Sequence, residues 1–279
     1  MKRGLIFFIS CIAVVNSFAQ PFVDPLNVRF TRAFPNSKEN GGTPFSHIYV
    51  GSDLPLQLNN RSYIVFSPFF ENWNLDSGGN KTYLAPVSGL GMAVSVLFPL
   101  DKTRWSITAG FIPRINSEEL NMHNSFQMGG LLLAVYKQHE HLKYKFGVYM
   151  NNEFFGIFLV PLLGIDWHIN SRNNLFGVLP GRLTWEHRLN HHFYGGATFR
   201  ALTNSYRLND GKYLRLDDNQ LSVYLDCYAS KHIAFTMEAG YGILRKIRTG
   251  NDHQKNYLTE AQWGDGLFIK ISASYRVRL

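Results

Sequence analysis

The final stretch of the chain, Ile269 to Leu279, alternates without interruption. Ile269, Ile271, Ala273, Tyr275, Val277 and Leu279 are apolar, and Lys270, Ser272, Ser274, Arg276 and Arg278 between them are polar. Strict alternation is a β-strand with one apolar and one polar face, because successive side chains leave a strand on opposite sides. A helix would instead need apolar residues every three or four positions. The same period returns in Thr103 to Phe111, Leu142 to Met150, Leu221 to Cys227 and Ile233 to Ile243. These segments run to about ten residues, the length a tilted strand needs to cross a bilayer.

The N-terminus carries an export pattern. Lys2 and Arg3 precede the apolar run Leu5 to Val15, and Ser17 and Ala19 are small residues at the two positions a signal peptidase reads. This predicts a signal peptide over 1–19, cleaved before Gln20, and a single domain over 20–279 with no linker or repeat to divide it. Lipid attachment at Cys11 is the alternative, with only about seven apolar residues before it and apolar residues where a polar tether belongs. Cleavage lowers the formal charge of +8 by two and leaves Cys227 as the only cysteine, which excludes an intramolecular disulfide. The longest apolar run of the mature chain, Phe154 to Ile165, is broken by Gly156, Pro161 and Gly164 and falls short of the about 20 residues a spanning helix requires.

Short polar turns around Leu58–Arg61, Leu100–Thr103, His139–His141, Asn170–Asn174, Leu189–His192 and Ser230–His232 alternate with longer polar stretches at Pro35–Thr43, Trp73–Thr82, Asn116–Asn124, Leu208–Asp218 and Arg248–Gly264. Starting upward from the first strand, every short turn falls on one side and every long loop on the other, the pattern of an outer-membrane β-barrel. The expected fold is all-β: an antiparallel transmembrane barrel of fourteen strands, at roughly 25–34, 45–56, 61–72, 83–99, 103–115, 124–138, 142–152, 154–169, 174–180, 182–190, 193–207, 219–230, 232–247 and 265–279. Twelve is the count if the hairpin at Pro180-Gly181 does not span. Pro161 falls inside a strand and predicts a bulge. Trp105, Trp167 and Trp185 near the turns, with Trp73 and Trp263 beside long loops, predict aromatic girdles.

With this export signal, turns such as Asn170-Ser-Arg-Asn-Asn and Leu189-Asn-His-His, and the terminal strand ending Ser274-Tyr-Arg-Val-Arg-Leu279, the chain resembles Bacteroidota-type outer-membrane β-barrel proteins of unknown function. The resemblance covers the mature chain and implies a fold and an outer-membrane location in a Gram-negative bacterium, but no site. Many such barrels end in phenylalanine, read by the barrel-assembly machinery. Leu279 departs from that, and Tyr275 with the alternation remains as the signal.

The sequence predicts no enzyme, cofactor or metal. The local cluster His123-Asn124-Ser125 is the nearest to a hydrolase set for phospholipid or lipid A, and His139, His141, His191 and His192 are the nearest to metal ligands, but all sit in polar turns and loops where such residues are common. The alternation instead places Arg29, Arg104, Lys143, Lys145, Glu186, Arg188, Arg200, Glu238, Lys270 and Arg276 toward the lumen, with Asp166 and Asp226. An excess of Arg and Lys there favours anions if the lumen is open; if it is filled, the same charges pair with one another. The expected role is a passive narrow channel or small-solute-binding barrel with an anion-favouring lumen. The alternative is a structural barrel whose outer loops bind a partner. Basic loop residues Lys38, Arg207, Lys212, Arg215, Arg248 and Lys255 suit lipopolysaccharide phosphates among the outer-membrane lipids. Charges scattered over strand faces give no nucleic-acid surface.

Overall fold

The alternation builds a wall. In the computed structural model, which describes residues 21–35, 44–59, 62–75, 85–100, 104–253, 257–262 and 264–279, fourteen antiparallel strands close into a ring. They are β1 (Phe22–Pro35), β2 (Phe45–Gly51, continued by Leu54–Gln57), β3 (Tyr63–Leu75), β4 (Val87–Pro99), β5 (Trp105–Ser117), β6 (Phe126–His139) and β7 (Leu142–Glu153). The ring continues with β8 (Gly156–Asn170), β9 (Asn173–Leu179), β10 (Arg182–Arg188), β11 (Phe193–Arg207), β12 (Tyr213–Tyr228), β13 (Ile233–Gly250) and β14 (Gly266–Arg278). β14 pairs with β1 from Phe22 opposite Arg278 to Pro35 opposite Gly266 and so closes the barrel. A short strand, Tyr257–Gln262, adds to the outer end of β13. The signal peptide and its cleavage site, Lys38, Lys255 and Trp263 lie outside the described residues.

Outward positions form an apolar belt: Ile157, Leu159, Leu163, Val223, Met237 and Leu267 are all exposed. Only helices and closed barrels satisfy every backbone group in lipid, and a closed ring with this exterior is the outer-membrane solution. Trp105, Trp167 and Trp185 project outward at the end that carries the short turns, the start of β1 at Phe22 and the end of β14 at Arg278. Trp73 does not belong to a girdle. It is 1% exposed and stacks on His47 at 3.8 Å inside the barrel.

The hairpin at Pro180-Gly181 joins the ring but is short. β9 and β10 have 7 residues each. At about 3.4 Å per residue and a tilt near 40°, they rise about 18 Å, less than the roughly 25 Å apolar belt. The wall therefore has fourteen strands at the periplasmic end and fewer at the outer end. On β8, Leu163 to Asn170 pair with β9, while Gly156 to Leu162 have no ladder partner on that side.

The missing height is used elsewhere. The upper halves of β11 and β12 fold across the mouth, with Arg207 bridging Ser117 of β5. The expected loop Leu208–Asp218 is thus corrected: Tyr213 to Asp218 continue β12, and only 208–212 turn. The bend has a local cause. Asp217 pairs with Lys246 and Asn219 with Ile243, so β13 carries one extra residue, a β-bulge in which Leu244 has φ 53° and points outward. The bulge turns Arg245 inward to bind Asp218 at 2.7 Å. Beneath this cap lies the apolar core: Phe45, Trp73, Val87, Tyr206, Leu214 and Phe268.

Pro161 makes no bulge, since β7 and β8 pair in unbroken register through it. The His168 N–H donates to His141 O at 2.8 Å, so even-numbered residues of β8 turn their main chain toward β7. Pro161, being odd, turns its missing donor toward the unpartnered edge, where a proline costs nothing.

Candidate functional site

Inward residues are set by strand parity, and charge pairing settles most of them. Lys145 lies 2.6 Å from Asp166, opposite which Lys143 also stands in register. Lys270 donates to Glu238 at 2.7 Å and to Gln220 at 3.0 Å. Arg276 donates to Asp24 at 2.6 Å and to Asp226 at 2.7 Å, and Arg278 binds Glu186. Arg188 reaches His191 at the periplasmic rim. Arg104 is a correction: it sits exposed in the turn before β5 because the strand begins one residue later, and it does not line the wall. To this extent the lumen is filled by its own ion pairs.

Three arginines stand apart. Arg29 on β1, Arg182 on β10 and Arg200 on β11 make no ion pair and no side-chain hydrogen bond among the described residues, although Glu238 and Asp53 lie in the same cavities, and the Nε of Arg29 and of Arg200 is buried and unpartnered. Arg29 lies over the Tyr49 ring, 4.5 Å from its centroid. Arg182 and Arg200 are directly opposite each other in the β10–β11 ladder, on the same face. Side chains so placed start about 5 Å apart. Like charges directly opposite each other across a ladder repel, and an anion between the two guanidinium groups offsets that repulsion.

All three line a cavity of about 410 Å³, together with Arg114, Tyr49 and Asn204 and the carboxylates of Asp24, Asp53 and Glu71. They also line a smaller one of about 100 Å³ toward the periplasmic end, with Asp24, Glu238 and Arg276. The larger falls within the size of small-ligand sites.

The cap forms its roof through two buried polar latches. Glu71 accepts from Tyr206 Oη at 2.7 Å and from Asn204 Nδ2 at 3.0 Å, with His47 Nε2 at 3.2 Å. Glu153 accepts from Arg114, from Gln127 at 3.0 Å and from both the N–H and Oγ of Ser205, at 3.2 and 2.6 Å.

The family described as "Domain of unknown function (DUF6268)" matches residues 71–277, most of the wall and the whole cap. The chain belongs to this family. Among solved structures, this DUF6268 barrel is similar to the COG4313 outer membrane channel from Pseudomonas putida F1, with TM-score 0.49 and 9% identity over 92% of this chain and 96% of that one. It is also similar to OmpT, an outer membrane protein of Vibrio cholerae, with TM-score 0.41 and 10% identity over 95% and 99% of the two chains. For LpxR from Salmonella typhimurium the values are 0.39 and 8%, over 91% and 99%. No curated protein matches the sequence.

The DUF6268 chain does not assemble the His123-Asn124-Ser125 cluster. Ser125 is 1% exposed with an unpartnered Oγ, while the His123 main chain bonds to Asn121 and the side chain stays in solvent. His192 is held by Tyr228 O, and His141 packs on His168. Loop cations Arg207, Lys212, Arg215 and Arg248 all carry carboxylate partners. Sequence reading missed Arg182, although the outward Leu183 and Trp185 place it inward by parity. It also missed the latches Arg114–Glu153 and Arg245–Asp218, which depend on the inward fold.

Proposed function

We propose that this protein is an outer-membrane barrel of a Gram-negative bacterium that takes up a small anion in its lumen and passes it on when the cap yields. One observation carries this reading: the Arg182–Arg200 pair, with Arg29, lines a ligand-sized cavity and none of the three makes an ion pair with the carboxylates of Asp24, Asp53 and Glu71 that share it. An anion between two opposed guanidinium groups turns their repulsion into charge-assisted hydrogen bonds, worth about 1.5–3 kcal/mol each. Most other lumen charges are paired, Lys145 with Asp166, Lys270 with Glu238, Arg276 with Asp24 and Asp226 and Arg278 with Glu186, which leaves this cluster as the main group of cations outside an ion pair.

The test is conductance of the refolded protein in a planar bilayer under a salt gradient, beside Arg182→Gln/Arg200→Gln. Anion-favouring current that weakens in the double variant supports the reading. A silent barrel that small anions do not stabilise overturns it. The paired lumen charges and the cap favour a filled scaffold as the second reading, for which the double variant is simply more stable and equally silent.

A further inference from the structure

The lumen is lopsided. The inner faces of β10 to β14 and of β1 are polar, with Thr184, Thr198, Ser222, Thr236, Ser272 and the arginines. On β6 and β8 the inward positions are Leu131, Leu133, Val160 and Leu162, interleaved with Gly110 and Gly147 on the neighbouring strands. Register sets Gly110, Leu131, Tyr149 and Val160 in one row, and Thr108, Leu133, Gly147 and Leu162 in the next. Outward, the same part of β8 shows Ile157, Leu159 and Leu163, so it is apolar on both faces. A strand apolar on both faces is buried on both: near its upper end the inward Phe158 packs on Phe155 in the cluster with Phe154 and Tyr213, and Val160 and Leu162 lie below it.

This two-faced segment is also the free edge. Among the described residues Gly156 to Leu162 pair only with β7, and beyond them in the ring the β9–β10 hairpin stops at Pro180-Gly181, where β11 holds the tip through Ala201 N–H to Pro180 O at 3.2 Å. From Leu202 upward β11 leaves the wall for the cap. The wall is therefore notched between β8 and β11 in its outer half. Unpaired backbone in hydrocarbon costs several kcal/mol per group, and is tolerated where it lines a cavity. Pro161 removes one of the donors from this edge and discourages strand addition there. The larger cavity lies inside the wall beside the notch, lined by Tyr149 on β7, the strand next to β8, and by Arg182, Arg200 and Leu202 on β10 and β11.

Resting on the anion reading above, we propose that the ligand is a single-chain amphiphile with a carboxylate or phosphate head, and that it moves between lumen and outer leaflet through this notch. The head sits on Arg182, Arg200 and Arg29. The tail lies along Leu131, Val160 and Leu162. A fully hydrated anion uses neither the apolar wall nor a lateral gap, whereas an amphiphile uses both. One side of the notch offers charge and the other hydrocarbon, so the molecule keeps both ends solvated as it crosses.

The probe is dodecanoate carrying a diazirine near its terminal carbon, irradiated with the folded protein in phospholipid vesicles, with adducts mapped by mass spectrometry. Labelling of Leu131, Val160 or Leu162 is expected, falling about tenfold or more in Arg182→Gln/Arg200→Gln, the loss of one charge-assisted bond to the head. Arg182→Lys/Arg200→Lys, which keeps the charge, restores most of it. Folding of each variant is checked by heat-modifiable gel mobility. Adducts confined to Ile157, Leu159 and Leu163 and indifferent to the arginines overturn the proposal, because they report lipid-side adsorption. Inorganic phosphate and acetate are run beside it as thermal-shift ligands. If they stabilise the wild type and not the glutamine variant while no inner residue is labelled, the anion site stands and the amphiphile falls. If neither stabilisation nor inner labelling is seen, both fall.

Discussion

Glu153→Ala should uncap the barrel. Glu153 is fully buried at the top of β7, and its Oε2 receives both the N–H and the hydroxyl of Ser205, the residue that brings β11 across the mouth. Hydrogen bonds to a charged group are worth about 1.5–3 kcal/mol each, so losing two weakens the closed cap by about 3 kcal/mol at the lower bound. At 1.4 kcal/mol per decade, the uncapped fraction rises about a hundredfold or more. The remaining Glu153 bonds, to Arg114, Gln127 and Asn151, join wall to wall, so their loss falls mainly on barrel stability. Arg114 keeps Gln127 and Asn204 as partners at 3.0 Å each, which limits the damage. The assay is single-channel recording together with hydrogen exchange over 201–218. Open events should become frequent and protection of that segment should fall, and Ser205→Ala, which removes the hydroxyl's bonds with Glu153, Gln127 and the Phe154 N–H, should do the same. A folded Glu153→Ala barrel with wild-type protection over 201–218 would refute the claim that this carboxylate latches the cap.

Arg276→Gln should leave Asp24 and Asp226 buried without their shared cation and cost about 3–5 kcal/mol, read as a lower urea midpoint for the folded barrel; an unchanged midpoint refutes the bridging role. Pro161→Ala restores an N–H on the open edge of β8 and should raise self-association in detergent, seen by sedimentation, with little change in thermal stability; a purely monomeric variant counts against that edge being free. Glu260, in the short outer strand, is hydrogen-bonded by Lys246 and Arg248, which hold its pKa down at about 2. A depressed carboxylate pKa stabilises above the ordinary range and ceases to do so as pH falls through about 2. Exchange protection of Tyr257–Gln262 should therefore persist to about pH 3, and its loss between pH 5 and 4 would contradict the pairing.

Alternation along Ile269–Leu279, Leu142–Met150 and Ile233–Ile243 was enough to determine a closed antiparallel wall, its fourteen strands and the inward parity of Arg29, Lys145, Arg200, Glu238, Lys270 and Arg276. Period two is a local property: each residue declares its face from its neighbours alone, and a lipid exterior makes the apolar face easy to read. Parity does not say which inward charges meet. Arg276 pairs with Asp24 at the far end of the chain, whereas Arg29, Arg182 and Arg200 make no ion pair among the described residues, and only ring closure and register decide that difference. Nor could the inward fold be read from Leu208–Asp218. Once both faces of a strand are buried, its polar and apolar residues no longer alternate between lipid and lumen, and the segment looks like a loop. One extra residue at Leu244, invisible as a pattern, turns Arg245 inward onto Asp218, while the 7-residue strands β9 and β10 leave β8 with an open edge. The wall was written in local periodicity; the cap, the arginine cluster and the notch belong to contacts between strands far apart in the chain.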